Sequence, residues 1–132
     1  MLRRTAGKLA LALVASAILW APGEGLARKP LPPSEGPTVS MAELPAQART
    51  TYDLILRGGP FPHAHKDGSV FGNRERQLPA QPRGYFREYT VKTPGSRDRG
   101  ARRIVCGGRQ PTQPDACFYT GDHYASFSRI VP

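Results

Sequence analysis

No regular helix passes through Gly58-Gly59-Pro60, where two residues without a Cβ precede one that cannot donate a backbone hydrogen bond. Everything before this break must finish its secondary structure there. On its N-terminal side, Leu44, Ala48, Tyr52, Ile55 and Leu56 share one face at helical spacing. Ser40 and Glu43 have the spacing of a capping box, and Pro45 suits a first helical turn. These signals predict one helix over 44–57. On the C-terminal side the period changes to two. Tyr85, Arg87, Tyr89 and Val91 alternate with Phe86, Glu88, Thr90 and Lys92. Further strands are expected over 102–106, 117–120 and 124–131, the last with Ala125, Phe127 and Ile130 as its apolar residues. The fold class is therefore α+β, one N-terminal helix packed on an antiparallel sheet of four to five strands.

The first 27 residues stand apart from this pattern. Arg3, Arg4 and Lys8 precede an apolar run over 9–21, which Pro22 and Gly23 break, and small residues follow at 25–27. Such a segment reads as a signal peptide; the run is too short to span a bilayer comfortably. Residues 28–39, rich in Pro, Gly and charge, read as a flexible leader, and the folded domain is expected over 40–132. No later apolar run could cross a membrane, so no membrane association is expected after cleavage. The destination is an oxidising one, outside the cell. There Cys106 and Cys117 are expected to pair as a disulfide that pins a hairpin; their spacing matches no common zinc pattern.

The full chain carries a formal net charge of +9, with 19 Lys+Arg against 10 Asp+Glu. Fifteen of the cations are Arg, which favours planar contacts with phosphate or carboxylate. Four of them fall within Arg97–Arg103, as a phosphate site or nucleic-acid track requires. Glu88 sits mid-strand among aromatics, where a carboxylate is held more rigidly than on a loop. Asp122-His123-Tyr124 brings in a histidine, the side chain most readily tuned as an acid near neutral pH. Phe71-Gly72-Asn73-Arg74-Glu75 combines residues that permit positive φ with a carboxylate close behind. His63 and His65, beside Lys66 in a turn-rich segment, read as solvated rather than as ligands.

The order of these pieces carries more than any one of them. Gly59-Pro-Phe-Pro62, Phe71–Glu75, Leu78-Pro79, Tyr85–Val91, Thr93–Ile104 and Tyr119–Phe127 follow one another in a pattern that resembles the secreted microbial guanyl-specific ribonucleases, the barnase-like family. The resemblance implies cleavage of single-stranded RNA 3′ to guanosine, through attack of the ribose 2′-OH and a 2′,3′-cyclic phosphate, without metal or cofactor. It places the catalytic base on Glu88, the acid on His123 and the phosphate-binding groups on Arg99 and Arg103. It places substrate binding on Phe71, Gly72, Asn73, Arg74 and Glu75, with Tyr124 at the phosphate. A base and an acid acting together imply a bell-shaped pH dependence. The resemblance also implies an acidic, barstar-like inhibitor protein as a partner; the sequence carries no oligomer signal, and a monomer is the default expectation. Two other classes compete: a basic RNA-binding module without catalysis, and a secreted toxin acting on membranes. The first could dispense with Glu88 or His123, yet both are present. The second calls for a cationic amphipathic helix, whereas the helix over 44–57 has few cations.

Overall fold

The structure is a computed structural model and describes residues 36–132. The signal segment and the first part of the leader lie outside the described residues. One helix, α1 (Ala46–Arg57), packs on a mixed six-stranded sheet. The strands are β1 (Thr38–Ser40), β2 (Ser69–Val70), β3 (Phe86–Thr90), β4 (Arg103–Gly107), β5 (Ala116–Thr120) and β6 (Ser128–Val131). Their order across the sheet is β1-β6-β5-β4-β3-β2.

The sheet thus exceeds the expected four or five antiparallel strands at both edges. β2 adds two residues beside β3. β1 pairs with β6 in parallel, Val39 opposite Ile130, and the backbone N–H of Arg129 donates to Pro37 at 2.8 Å. Thr38 and Val39, read from the sequence as the end of a leader, are therefore part of the sheet. Three residues without a hydrophobic alternation carry no strand signal; the free edge of β6 recruits them.

The helix begins two residues later than expected. Pro45, at φ −53° and ψ 146°, is its N-cap. The Ser40–Glu43 capping bonds do form: Ser40 N–H donates to Glu43 Oε2 at 3.1 Å and Glu43 N–H to Ser40 Oγ at 3.3 Å. They close the turn between β1 and α1 rather than the helix itself. At the other end Gly58 is left-handed, φ +83°, and the Gly58 and Gly59 amides donate to Ile55 and Leu54 carbonyls.

Ala48, Thr51 and Ile55 are the buried residues of the helix. Leu56, predicted for that face, is 43 % exposed. Thr51 takes its place because its hydroxyl donates both to Gln47 O and to the buried Thr90 carbonyl on β3, at 3.2 and 3.1 Å. Against this face pack Leu44, Tyr89, Val91, Ile104 and the Cys106–Cys117 disulfide. Full burial of one such side chain as Ile104 contributes roughly 1.5–3 kcal/mol.

The disulfide joins directly opposed residues of β4 and β5, whose Cα atoms lie 4.1 Å apart. The hairpin is braced further at its tip, where Tyr85 donates to Asp115 Oδ2 at 3.0 Å. Burial and this carboxylate push the Tyr85 phenol up to about 12.

Strand alternation sends the neighbouring residues to the other side. There Phe86, Val105 and Phe118 form a second cluster with Leu78 and Phe127. Glu88, opposite Val105, stands on this second face. Among the described residues no helix is long and apolar enough to cross a membrane.

Candidate active site

β3 presents Phe86, Glu88 and Thr90 in a row on the face away from the helix, and β4 sets Arg103 opposite Thr90. Thr120 of β5 pairs with Arg103 in turn. Glu88 is held from both ends. Tyr124 Oη donates to its Oε2 at 2.5 Å, and Arg99 Nη2 lies 3.5 Å from its Oε1, the one ion pair among the described residues. Arg99 is steadied by a second bond, from Nε to Thr90 Oγ1 at 3.0 Å.

Arg103 is only 3 % exposed and has no carboxylate partner among the described residues. Its Nη1 donates to the carbonyls of Gly100 and Arg102 at 2.9 and 2.8 Å, while its Nε has no hydrogen-bond partner. A guanidinium buried beside the Tyr124 phenol with no carboxylate within ion-pair distance among the described residues is suited to an incoming anion. The turn that supplies those carbonyls depends on Gly100, at φ +64°. A Cβ there would come within 2.3 Å of Thr93 Oγ1.

His123 and Tyr124 were expected where the chain enters the last strand. The structure places them in a turn and begins β6 only at Ser128. Both adopt left-handed backbone, φ +54° and +72°, a conformation costing about 1–3 kcal/mol in such residues. The Asp122 carboxylate offsets that cost. It accepts from Thr120 Oγ1 at 2.8 Å, from Ser126 N–H at 2.9 Å and from Ser126 Oγ at 2.6 Å. Those bonds hold its carboxyl below the ordinary carboxylate value. Thr120 Oγ1 also accepts the Tyr124 N–H, and the His123 N–H donates to Ala101 O. The histidine is thereby tied to the arginine-bearing turn.

Tyr124 packs on Phe71, ring centroids 5.0 Å apart, and Phe71 meets Phe127 edge-on. Burial, then the bond to Glu88, pushes the Tyr124 phenol up to about 12, with Arg103 acting in the opposite sense. The phenol expected at a phosphate thus rests on Glu88 with Arg103 beside it.

The Phe71–Glu75 segment forms the opposite wall. Its backbone departs from the expectation at one point. Asn73 and Arg76 take positive φ, +50° and +53°, whereas Gly72 does not. Asn73 spends its side chain inside the loop, Nδ2 donating to Leu78 O at 2.9 Å and Oδ1 accepting the Leu78 N–H at 3.1 Å. Its amide side chain is a brace, which leaves the backbone N–H groups and the exposed Glu75 carboxylate to meet a ligand. Together Phe71, Asn73, Glu75, Glu88, His123 and Tyr124 line one open cleft of about 640 Å³. Every expected site residue except Arg99 and Arg103 lines it, and Arg99 touches it through Glu88. Thr90 and Asp122 were not singled out as site residues of their own. Their signal was weak, a threonine at the register position beside Glu88 and an acid before the histidine.

The comparisons agree with this geometry. The chain is 58 % identical over 92 residues to guanyl-specific ribonuclease Sa3 of Kitasatospora aureofaciens, across 70 % of this chain and 62 % of that protein. It therefore spans less than two thirds of Sa3. It is 55 % identical to guanyl-specific ribonuclease Sa of the same organism, over 70 % of this chain and 92 % of Sa. Guanyl-specific ribonuclease St of Saccharopolyspora erythraea is 53 % identical, over 70 % of this chain and 86 % of St. Among solved structures, ribonuclease Sa2 complexed with mononucleotides superposes with a TM-score of 0.66 at 46 % identity, covering 73 % of this chain and 94 % of that one. Sa2 with guanosine-2′-cyclophosphate gives 0.65 at 45 %, covering 73 % and 97 %. A family model described as ribonuclease matches residues 29–131, and this chain belongs to the ribonuclease family.

Proposed function

We propose that the chain is a secreted guanyl-specific endoribonuclease that cleaves single-stranded RNA by transphosphorylation. The observation that carries the reading is the grip on Glu88: Arg99 on one oxygen, Tyr124 on the other, in the same cleft as His123 and the Phe71–Glu75 loop. In the first step Glu88 takes the proton of the ribose 2′-OH. O2′ forms a bond to phosphorus, the P–O5′ bond breaks, and His123 gives its proton to O5′. The product is a 2′,3′-cyclic phosphate. The added negative charge of the phosphorane falls on Arg99 and Arg103, which are preformed for it. Hydrolysis of the ring reverses the roles, water replacing the departed alcohol. DNA has no 2′-OH and is not cut by this chemistry.

Guanine offers N1–H and N2–H₂ donors side by side, which the Glu75 carboxylate accepts, while backbone N–H groups of Asn73 and Arg74 donate to O6. Adenine presents the opposite pattern at these positions, and unpaired polar groups at a site built to pair them discriminate strongly. Phe71, backed by Tyr124, supplies a stacking face. The signal peptide expected over residues 1–27 and the pairing of Cys106 with Cys117 support an extracellular site of action. A monomer restrained by an acidic inhibitor protein fits the chain's net charge of +9.

The test mixes protein and its Glu88→Gln variant with GpC, ApC and UpC in the presence of EDTA. A cyclic guanylate from GpC alone, lost in the variant, is the expected outcome. Cleavage of all three removes the guanine assignment. No cleavage by folded, disulfide-intact protein removes the enzyme and leaves a basic binding module.

A further inference from the structure

A second groove of about 510 Å³ lies on the helix side of the Glu88–Arg99 pair, outside the cleft described above. Leu54 of α1 with Phe61 and Pro62 makes an apolar wall, and Lys92 and Arg97 face it from the segment after β3. Thr90 and Arg99 form the boundary, since both line this groove while Arg99 also reaches Glu88. Resting on the ribonuclease reading, we propose that this groove is an extended substrate subsite. It binds a flanking nucleotide of the same RNA strand, base against Phe61 and phosphate against Lys92 and Arg97.

Three features point to that occupant. Lys92 and Arg97 are exposed and form no ion pair among the described residues. The one carboxylate of the groove, Asp98, is held by Ser96 Oγ at 2.7 Å and by the Gly100 N–H at 2.8 Å and is outnumbered in the lining by Lys92, Arg97 and Arg99, so the groove carries a net positive charge. Phe61 is held by Tyr89, ring centroids 5.2 Å apart, and so offers a face already ordered before a base arrives. Base stacking on an ordered aromatic accounts for about a tenfold gain or more. The groove joins the reaction centre through Arg99, so a strand anchored at the scissile phosphate reaches it without a break.

The experiment compares GpC with the trinucleotides GpCpC and CpGpC, using the full protein and a Thr50→Glu/Lys92→Ala/Arg97→Ala variant. Thr50 is an exposed helix residue on the groove, and none of the three belongs to the catalytic cleft. The expected result is a kcat/KM at least about tenfold higher for one trinucleotide than for GpC. The variant should lose that gain while keeping GpC cleavage within twofold. Its salt slope on that trinucleotide should also flatten, by about 0.7 for each phosphate contact removed. A gain that survives in the variant, or no gain in the parent protein, overturns the proposal. If the parent does not cleave GpC, the ribonuclease reading falls by itself and binding decides. Titration with the uncleavable d(GpCpC) should then shift the amide resonances of Thr50 and Arg97 in the parent protein and not in the variant. Silent resonances overturn the subsite.

Discussion

The phenol of Tyr124 donates a 2.5 Å hydrogen bond to Oε2 of Glu88, across 36 residues of sequence. It joins a turn in left-handed backbone to the middle of strand β3, next to the sheet edge. Removing the hydroxyl while keeping the ring isolates that bond. A hydrogen bond to a charged group is worth about 1.5–3 kcal/mol, so Tyr124→Phe is expected to lower kcat on GpC by about 10- to 100-fold. Because the ring still packs on Phe71, the variant should fold and bind 3′-GMP nearly as before. An unchanged kcat would remove Tyr124 from the reaction.

Asp122 makes a prediction about pH. Its folded pKa is lowered by its bonds to Ser126 and Thr120. The stabilisation it provides is therefore complete above its ordinary value near 3.8 and is lost as pH falls through the folded value. Thermal melts of the protein and Asp122→Asn should differ at pH 7, and the gap should narrow as pH falls below 3.8. A gap that stays constant across this range contradicts the assignment. The same variant should lose activity at pH 7, since the carboxylate holds His123 and Tyr124 in their unusual backbone.

The guanine loop separates specificity from fold. Gly72 is not left-handed, and a Cβ there would meet the Arg74 side chain at 3.6 Å, an ordinary contact. Gly72→Ala should change unfolding free energy by no more than about 0.5 kcal/mol, measured in urea. By stiffening the loop it should raise the GpC to ApC ratio of kcat/KM. Glu75→Gln should do the reverse, lowering cleavage of GpC by about 100-fold or more and leaving ApC nearly unchanged. Equal losses on both dinucleotides would place Glu75 outside base recognition.

The disulfide belongs to the face of the sheet that meets the helix, opposite Glu88. Replacing both Cys106 and Cys117 by Ala should cost stability by about 3 kcal/mol in the chain-entropy account. The kcat of the molecules that remain folded should be unaltered. A large fall in kcat at temperatures well below the melting point would tie the hairpin to the site instead.

Several of these relationships were legible in the sequence, and for a common reason. Gly58-Gly59-Pro60 stops a helix whatever surrounds it, and the period-two run through Glu88 demands a strand with two unlike faces. The pairing of Cys106 with Cys117 follows from two cysteines in a chain expected to be exported, and the family resemblance picked out Glu88, His123, Arg99 and Arg103, of which Glu88 and His123 line one cleft and Arg99 reaches Glu88. Other features were hidden because their partners are remote. The capping box at Ser40 and Glu43 formed its bonds, yet the next turn was diverted by Pro45 and by the pairing of β1 with β6. Thr51 displaced Leu56 from the buried face because a carbonyl of β3 needed a donor.

The sequence by itself determined the α+β order of elements and the place where the helix ends. Each rests on steric and hydrogen-bonding preferences within a few residues. Tertiary structure alone decided that β1 and β2 extend the sheet and that His123 and Tyr124 leave the strand for a turn. It also decided that Arg103 is buried without an ion-pair partner among the described residues and that Tyr124 meets Glu88. Those outcomes depend on unpaired backbone edges, on one carboxylate gathering three donors, and on contacts between residues far apart in the chain. No local pattern encodes them.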